Sequence, residues 1–306
     1  MPKEKIIFIV GPTASGKSVV AVQLAKRIKG EIISCDSMQV YKMMPILTSQ
    51  PTLGLRKQVK HHLIATVAPA IEYNVSQYRR EALKKISQIQ KKKKIPVFVG
   101  GTGLYMSVLL HGIFEQQEVN PKIRESLLKQ AKKFGSVYLY RKLEKADPQA
   151  AAKIHPHDAK RIIRALEVFQ ATGKPISVLQ KTRKGLNHDY EVKIFGLNLP
   201  REKLYTRIEE RVDRMLEQGL EKEVKKLLKS KLSRTAQFAI GIKELAGYLH
   251  GEYGWEEAVR MMKQNTRHYA KRQLTWFRKE KAIQWINLTG KEKPQEVAVK
   301  LWKKLY

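Results

Sequence analysis

Gly11-Pro12-Thr13-Ala14-Ser15-Gly16-Lys17-Ser18 decides how this chain is read. Two glycines five positions apart, followed at once by Lys and Ser, are the fixed positions of a phosphate-binding loop. Ile6 to Val10 precede it, an apolar and mostly β-branched run short enough for a buried strand. Behind it Val20, Leu24 and Ile28 recur at helical spacing. A strand, a glycine-rich turn and a helix N-terminus make an anion site, because backbone N–H groups point inward and the helix dipole adds positive potential. In that geometry Lys17 reaches the outer phosphates and the Ser18 hydroxyl ligates Mg²⁺. The loop says what is gripped, not what is done with it.

The bulk composition narrows the class. A chain of 306 residues that is 42% hydrophobic has room for one large or two modest folded domains. Its formal charge of +32 exceeds what solubility requires and points to a polyanionic partner, nucleic acid first and an anionic membrane surface second. No apolar run approaches the length of a membrane span, and the N-terminus runs directly into the first strand, so a cytoplasmic protein is expected. A single cysteine, Cys35, excludes an internal disulfide and a cysteine-rich zinc module, and it sits in an apolar run as a small hydrophobe.

Charge also divides the chain. Residues 119–188 hold 16 Lys+Arg against 5 Asp+Glu, the most basic segment per residue, and they read as helical through Ile123 to Phe134 and Ile162 to Val168. The expected organisation is therefore an α/β core formed by residues 1–118 and 189–306, with a basic, all-helical insertion at 119–188. The run Lys91-Lys92-Lys93-Lys94 precedes a strand and reads as a solvated helix end.

Three further strands are expected: Glu31 to Ser34, leading to Asp36; Ile95 to Val99, leading to Gly100-Gly101-Thr102-Gly103; and Val192 to Leu197 after the insertion. Alternating strands and helices predict a parallel doubly wound sheet with helices on both faces, and such sheets bind ligands at the carboxyl ends of their strands. The phosphate loop, Asp36 and Thr102 should share that edge. Asp36 reads either as a metal-associated carboxylate or as a general base. Asp36-Ser37-Met38-Gln39-Val40-Tyr41 offers groups that pair with a base edge and stack on its face, while capping of the next turn is the plainer alternative.

Five motifs in order carry a resemblance: Gly11 to Ser18, Asp36 to Tyr41, Gly100-Gly-Thr-Gly-Leu-Tyr105, Asp158 to Glu167, and Arg267 to Arg278. Together they resemble the bacterial tRNA dimethylallyltransferases nearly from end to end. The resemblance implies a P-loop NTPase-like core, a helical insertion that grips the anticodon stem, and transfer of a dimethylallyl group to N6 of the adenine just 3′ of the anticodon. Dimethylallyl diphosphate, tRNA and Mg²⁺ are the partners it implies. Gly11, Pro12, Thr13, Ala14, Ser15, Gly16, Lys17 and Ser18 would then hold a leaving group, whose growing charge Lys17, Ser18 and Mg²⁺ neutralise. A carboxylate, with an ordinary pKa of about 3.9, is too weak a base to deprotonate the amine in advance. It takes the proton once nitrogen bonds to carbon, a role that falls to Asp36. The adenine must be flipped out to reach the diphosphate.

The resemblance also places Asp36, Ser37, Met38, Gln39 and Thr102 against the tRNA, with Thr102 counted beside Asp36 and Lys17 in the catalytic set. His157, Asp158, Ala159, Lys160 and Arg161 of the insertion, and the stretch from Phe238 to Lys243, correspond to further tRNA-contacting segments. In Arg207 to Met215 one arginine resembles the diphosphate-binding arginine; Arg211 is favoured over Arg207, and a solvent-facing helix pair is the alternative. Phe238-Ala-Ile-Gly-Ile242 departs from the usual Gln-Ala-Ile-Gly-Tyr, so two polar contacts are missing there. His155-Pro-His157-Asp158 reads as a helix start capped by Asp158 rather than a metal site. Arg267, Lys271, Leu274 and Arg278 share a helix face, so the aromatics Tyr269, Trp276 and Phe277 are expected to pack while some of the cations bind phosphate.

The rival readings are an ATP-dependent small-molecule or nucleotide kinase and a nucleic-acid-binding protein that uses its P-loop as a switch or motor. Both require nucleotide turnover; the sequence offers neither a guanine-specificity motif nor a second apolar strand ending in a metal-binding Asp. One site is buildable from one chain, so a monomer is expected.

Overall fold

In the computed structural model, which describes residues 3–114 and 121–305, the first apolar run forms the strand β1 (Lys5–Val10) near the middle of a six-stranded sheet. The other strands are β2 (Gly30–Ser34), β3 (His61–His62), β4 (Ile95–Gly100), β5 (Glu191–Asn198) and β6 (Ile283–Asn287), in the spatial order β3-β2-β4-β1-β5-β6. Every pairing is parallel. The two outermost strands were not legible as strands. β3 is only two residues long, and β6 (Ile-Gln-Trp-Ile-Asn) leaves its polar residues Gln284 and Asn287 exposed, as short and partly polar edge strands do.

Both faces of the sheet are buried. Ile7, Ile9, Ile32, Val97, Phe195 and Leu197 pack with the helices Lys17–Arg27, Arg201–Glu217 and Pro294–Trp302 into one apolar core. The alternate residues point the other way: Phe8 stacks on Phe98 with ring centroids 4.6 Å apart, and the helix Val75–Gln90 lays Tyr78, Ala82 and Ile86 along β2 and β4. Such two-sided burial explains the near-continuous apolar runs that announced β1 and β4. The chain moves from β1 to β2 on one side and from β4 to β5 on the other, so the crevice opens between the carboxyl ends of β1 and β4.

β2 carries one charged residue inward. Glu31 is only 2% exposed and accepts hydrogen bonds from His62 Nε2 at 2.7 Å and Lys94 Nζ at 2.8 Å. Burial pushes its carboxyl up, but those two bonds and the charges of Lys94 and Lys92 outweigh it and hold it at about 2. Glu31→Gln removes the charge both partners face, and a loss of about 2 kcal/mol in urea unfolding at pH 7 is expected. Because the folded pKa lies below the unfolded value of 4.5, this stabilisation is present above about pH 4.5 and fades as pH falls toward 2. The variant and the parent should therefore converge in acid.

Residues 109–188 form a second compact unit, separate from the one made by residues up to 108 and from 189 onward. Its described residues are helical without strands, with Leu127, Leu139, Leu143, Ile162, Ile163 and Leu166 at the core. The expected helices fall inside Pro121–Phe134 and Ala159–Thr172. The expected boundary between 118 and 119 lies outside the described residues, and the unit begins earlier, at Leu109. The reason is close backbone packing: a Cβ on Gly185 would stand 2.0 Å from the Leu110 carbonyl oxygen, and one on Gly112 2.4 Å from that of Lys184.

Candidate active site

The phosphate loop turns off β1 at Gly11, whose φ of +141° and close approach to the Leu197 carbonyl exclude a side chain. Ala14 is held in the left-handed region at φ 63°, and Gly16 at φ 85° caps the helix that starts at Lys17. No side chain caps that helix, so its first N–H groups are left for a ligand. The Ser15 hydroxyl is buried with no partner among the described residues.

A cavity of about 410 Å³ lies beside this loop, lined by Thr13, Lys17, Ser18 and Asp36. Lys17 Nζ donates to the Pro12 carbonyl at 2.6 Å. Burial, and then the neighbouring Arg211, push the Lys17 ammonium down to about 7, against the pull of Asp36. Arg211 lines the same cavity and is itself lowered by burial, with Asp36 opposing. Arg207 donates instead to the Gly290 carbonyl at 2.6 Å and is not among the lining residues, so of the two arginines Arg211 is the one presented to the cavity. Cations buried without a counter-ion of equal charge form a site prepared for an anion.

Asp36 sits on the loop after β2. Its Oδ1 accepts from the backbone N–H of Met38 at 2.9 Å and of Gln39 at 3.3 Å, so one oxygen shapes the turn while the carboxylate also lines the cavity. Thr102 stands differently from expectation. It is not a lining residue; its Oγ1 accepts from Ser37 N–H at 3.0 Å and reaches Ser37 Oγ at 3.3 Å, so it clamps the Asp36 loop from β4. Gln39 lines the cavity, but its amide is bonded within the protein, accepting from Ser34 Oγ at 3.0 Å and donating to the Ser49 carbonyl at 3.1 Å. Ser37 and Met38 keep their places in the lining.

The glycines that end and follow β4 serve packing. A Cβ on Gly100 would stand 2.0 Å from the Cys35 carbonyl oxygen, and one on Gly101 2.0 Å from Gln273 Nε2. That glutamine is the residue most clearly missed. Gln273 is 5% exposed on the helix Trp255–Phe277; it accepts from Thr13 N–H at 2.8 Å and donates to the Gly101 carbonyl at 2.9 Å, tying the phosphate loop to the β4 loop. A polar residue in the buried stripe Met262, Ala270, Phe277 was the available signal. Gln273→Leu strands both backbone groups, and an expected cost of about 2–3 kcal/mol in unfolding free energy should accompany weaker diphosphate binding.

Tyr269, Arg272 and Thr266 of the same helix also face the cavity, and Leu47, Val212, Met215, Ile240 and Met262 give it an apolar wall. Burial, then the charge of Asp36, push the Tyr269 phenol up, so it stays a neutral donor. The expected cationic face divides. Arg267 is paired with Glu209 at 2.6 Å, which takes it out of the set of free cations, whereas Lys271 and Arg278 are exposed. Phe277 is buried and Trp276 is exposed beside Gly103. Phe238, also exposed, lines the cavity with Lys243 Nζ 5.7 Å from its ring centre.

On the helical unit, Asp158 caps the helix Ala159–Thr172 through Arg161 N–H at 3.1 Å, and His157, Lys160 and Arg161 are exposed while Ala159 is half-buried. Among the described residues no cluster of three or more metal-ligating side chains occurs, and no helix is long and apolar enough to cross a membrane.

Comparison with known proteins agrees with this geometry. The family model described as IPP transferase matches residues 39–280, and that described as isopentenyl transferase matches residues 4–66. A tRNA dimethylallyltransferase of Carboxydothermus hydrogenoformans is 47% identical over 300 residues, covering 97% of this chain and 96% of its own. One from Natranaerobius thermophilus is 45% identical over 296 residues, covering 95% and 88%. The solved tRNA isopentenylpyrophosphate transferase of Bacillus halodurans superposes with a TM-score of 0.73 at 40% identity, covering 99% of this chain and 97% of that one. A eukaryotic dimethylallyltransferase acting on tRNA superposes at 0.81 with 32% identity, covering 94% and 74%. With a phosphate loop, a facing carboxylate and this likeness along nearly its whole length, the chain belongs to the tRNA dimethylallyltransferase family of IPP transferases.

Proposed function

We propose that the chain transfers a dimethylallyl group from dimethylallyl diphosphate to N6 of adenine 37, next to the anticodon on its 3′ side, releasing diphosphate. The observation that carries this reading is one cavity with a cationic end at Lys17 and Arg211, an apolar wall, and Asp36 as the only acid among the described lining residues. The cationic end takes the diphosphate, and the wall of Leu47, Val212, Met215 and Met262 takes the branched hydrocarbon. Lys17, Arg211 and the helix N-terminus balance the charge that builds on the leaving group as the allylic C–O bond breaks. Asp36 accepts the N6 proton as the C–N bond forms. Thr102 and Gln273 fix the two loops that carry these groups, and Phe238 at the lining offers a face for a nucleobase.

The donors present fit Mg²⁺ of the kind that binds with its substrate: one protein hydroxyl, Ser18, beside the loop leaves most positions to phosphate oxygens and water. Bound there, the ion would supply further charge neutralisation at the diphosphate. The tRNA anticodon arm is the acceptor, with the exposed Lys160 and Arg161 of the basic helical unit as phosphate contacts, and a monomer working in the cytoplasm belongs to the same reading.

Incubation with Mg²⁺, dimethylallyl diphosphate and unmodified tRNA bearing an adenine-rich anticodon loop should add one isopentenyl unit to the tRNA, read by mass. ATP hydrolysis with no such gain would overturn the proposal in favour of a kinase.

A further inference from the structure

The lysine run at 91–94 follows the end of the helix Val75–Gln90 with all four side chains exposed, as expected of a solvated helix end. The fold gathers Lys92, Lys93 and Lys94 with Lys26, Lys29 and Lys60 around one concavity of about 510 Å³. These residues come from three separate stretches of chain, at the starts of β2 and β4 and just before β3. The strands are parallel, so this is the sheet edge opposite the phosphate loop, about 20 Å away along β4.

Charge within the concavity is uneven. Glu31 is the nearby acid; it is buried and engaged with Lys94 at 2.8 Å and Lys92 at 3.7 Å. Lys26, Lys29, Lys60 and Lys93 are exposed and take part in none of the ion pairs of the described residues. Lys29 and Lys93 are held at φ 53° and 56°, where glycine is the easier residue. Four like charges around one hollow repel each other, and a polyanion relieves that repulsion.

The lining chemistry selects among polyanions. Lysines are point charges that hold phosphate without reading geometry, and among the described residues no guanidinium or aromatic ring lines the hollow to clamp or stack a base. A flat bilayer does not fill a concave site, and the lining apolar residues, Ala25 and Val59, are buried and cannot insert into lipid. We propose that this hollow is a second RNA-binding site that takes the phosphodiester backbone of a single strand without regard to sequence, independent of the catalytic cavity.

The experiment replaces Lys26, Lys29, Lys60 and Lys93 together by Gln and measures binding of a fluorescent oligouridine in magnesium-free buffer across a salt series. Oligouridine lacks adenine, so it separates this site from the transfer reaction. The four substitutions are on the surface and outside the cavity; unchanged transfer kcat with unchanged diphosphate affinity is expected. Oligouridine affinity should fall about tenfold or more at low salt. The slope of log K against log salt should become shallower by about 3, since each phosphate that a lysine neutralises on a single strand adds about 0.7 to it. Chemical cross-linking of oligouridine to the parent protein should label peptides carrying these lysines. Unchanged affinity and slope in the variant would overturn the proposal, as would cross-links confined to other peptides. Loss of binding to anionic vesicles with oligouridine binding intact would overturn it in favour of a membrane surface. Failure of the tRNA mass assay leaves these readouts untouched, so the two proposals fail separately.

Discussion

Asp36→Asn is expected to lower the rate of prenyl transfer by about 10²- to 10⁴-fold while leaving diphosphate binding intact. The substitution is close to isosteric. An Asn Oδ1 can keep both backbone hydrogen bonds, from Met38 and Gln39, that shape the loop, so what is lost is the negative charge and the capacity to take a proton. Affinity for dimethylallyl diphosphate should hold or rise, because Asp36 is the only acid among described lining residues that include Lys17, Arg211 and Arg272. Asp36→Ala would be less informative, since it also frees two N–H groups and the turn with them. Single-turnover transfer and calorimetric titration with the diphosphate separate the two effects. A transfer rate within tenfold of the parent would remove Asp36 from the role of base.

The parts of the site that were legible in sequence are those set by neighbours in the chain. Gly11 to Ser18 needs only its flanking strand and helix to become an anion site, and Asp36 needs only the end of β2 to reach the same sheet edge. The parts that were not legible depend on packing across long stretches. Gln273 completes the phosphate loop from 260 residues away, and only docking of the helix Trp255–Phe277 brings it there. The choice between Arg207 and Arg211 rests on four residues of helical spacing, which keeps both on one flank; the Gly290 carbonyl, carried in after β6, draws Arg207 off. Thr102 followed the right motif but faces Ser37, because the bare Gly100 and Gly101 bring β4 against Cys35 and Gln273. Arg267 matched a basic pattern, yet Glu209 on the helix Arg201–Glu217 neutralises it, and a single sequence does not show which helices become neighbours.

Lys17→Met should separate function from stability in opposite directions. Loss of the ammonium removes a donor aimed at the leaving group, worth about 10²- to 10³-fold in transfer rate, and weakens diphosphate binding as well. Yet the ligand-free protein should become more stable, by about 1 kcal/mol, because a cation buried beside Arg211 is exchanged for an apolar chain of similar length. The pH dependence gives the sign. Lys17 titrates at about 7 in the folded protein against 10.5 in the unfolded chain, so between those values the unfolded state holds the extra proton. This group therefore makes the parent gain stability as pH rises from about 7 toward 10.5 and lose it again as pH falls toward 7. Thermal unfolding in magnesium-free buffer at pH 7 and pH 9 should show the variant ahead at pH 7 and its lead shrinking at pH 9. Added diphosphate should reverse the order at pH 7, raising the midpoint of the parent far more than that of the variant. A variant less stable than the parent at both pH values would mean that the Lys17 bond to Pro12, at 2.6 Å, outweighs the cost of its buried charge.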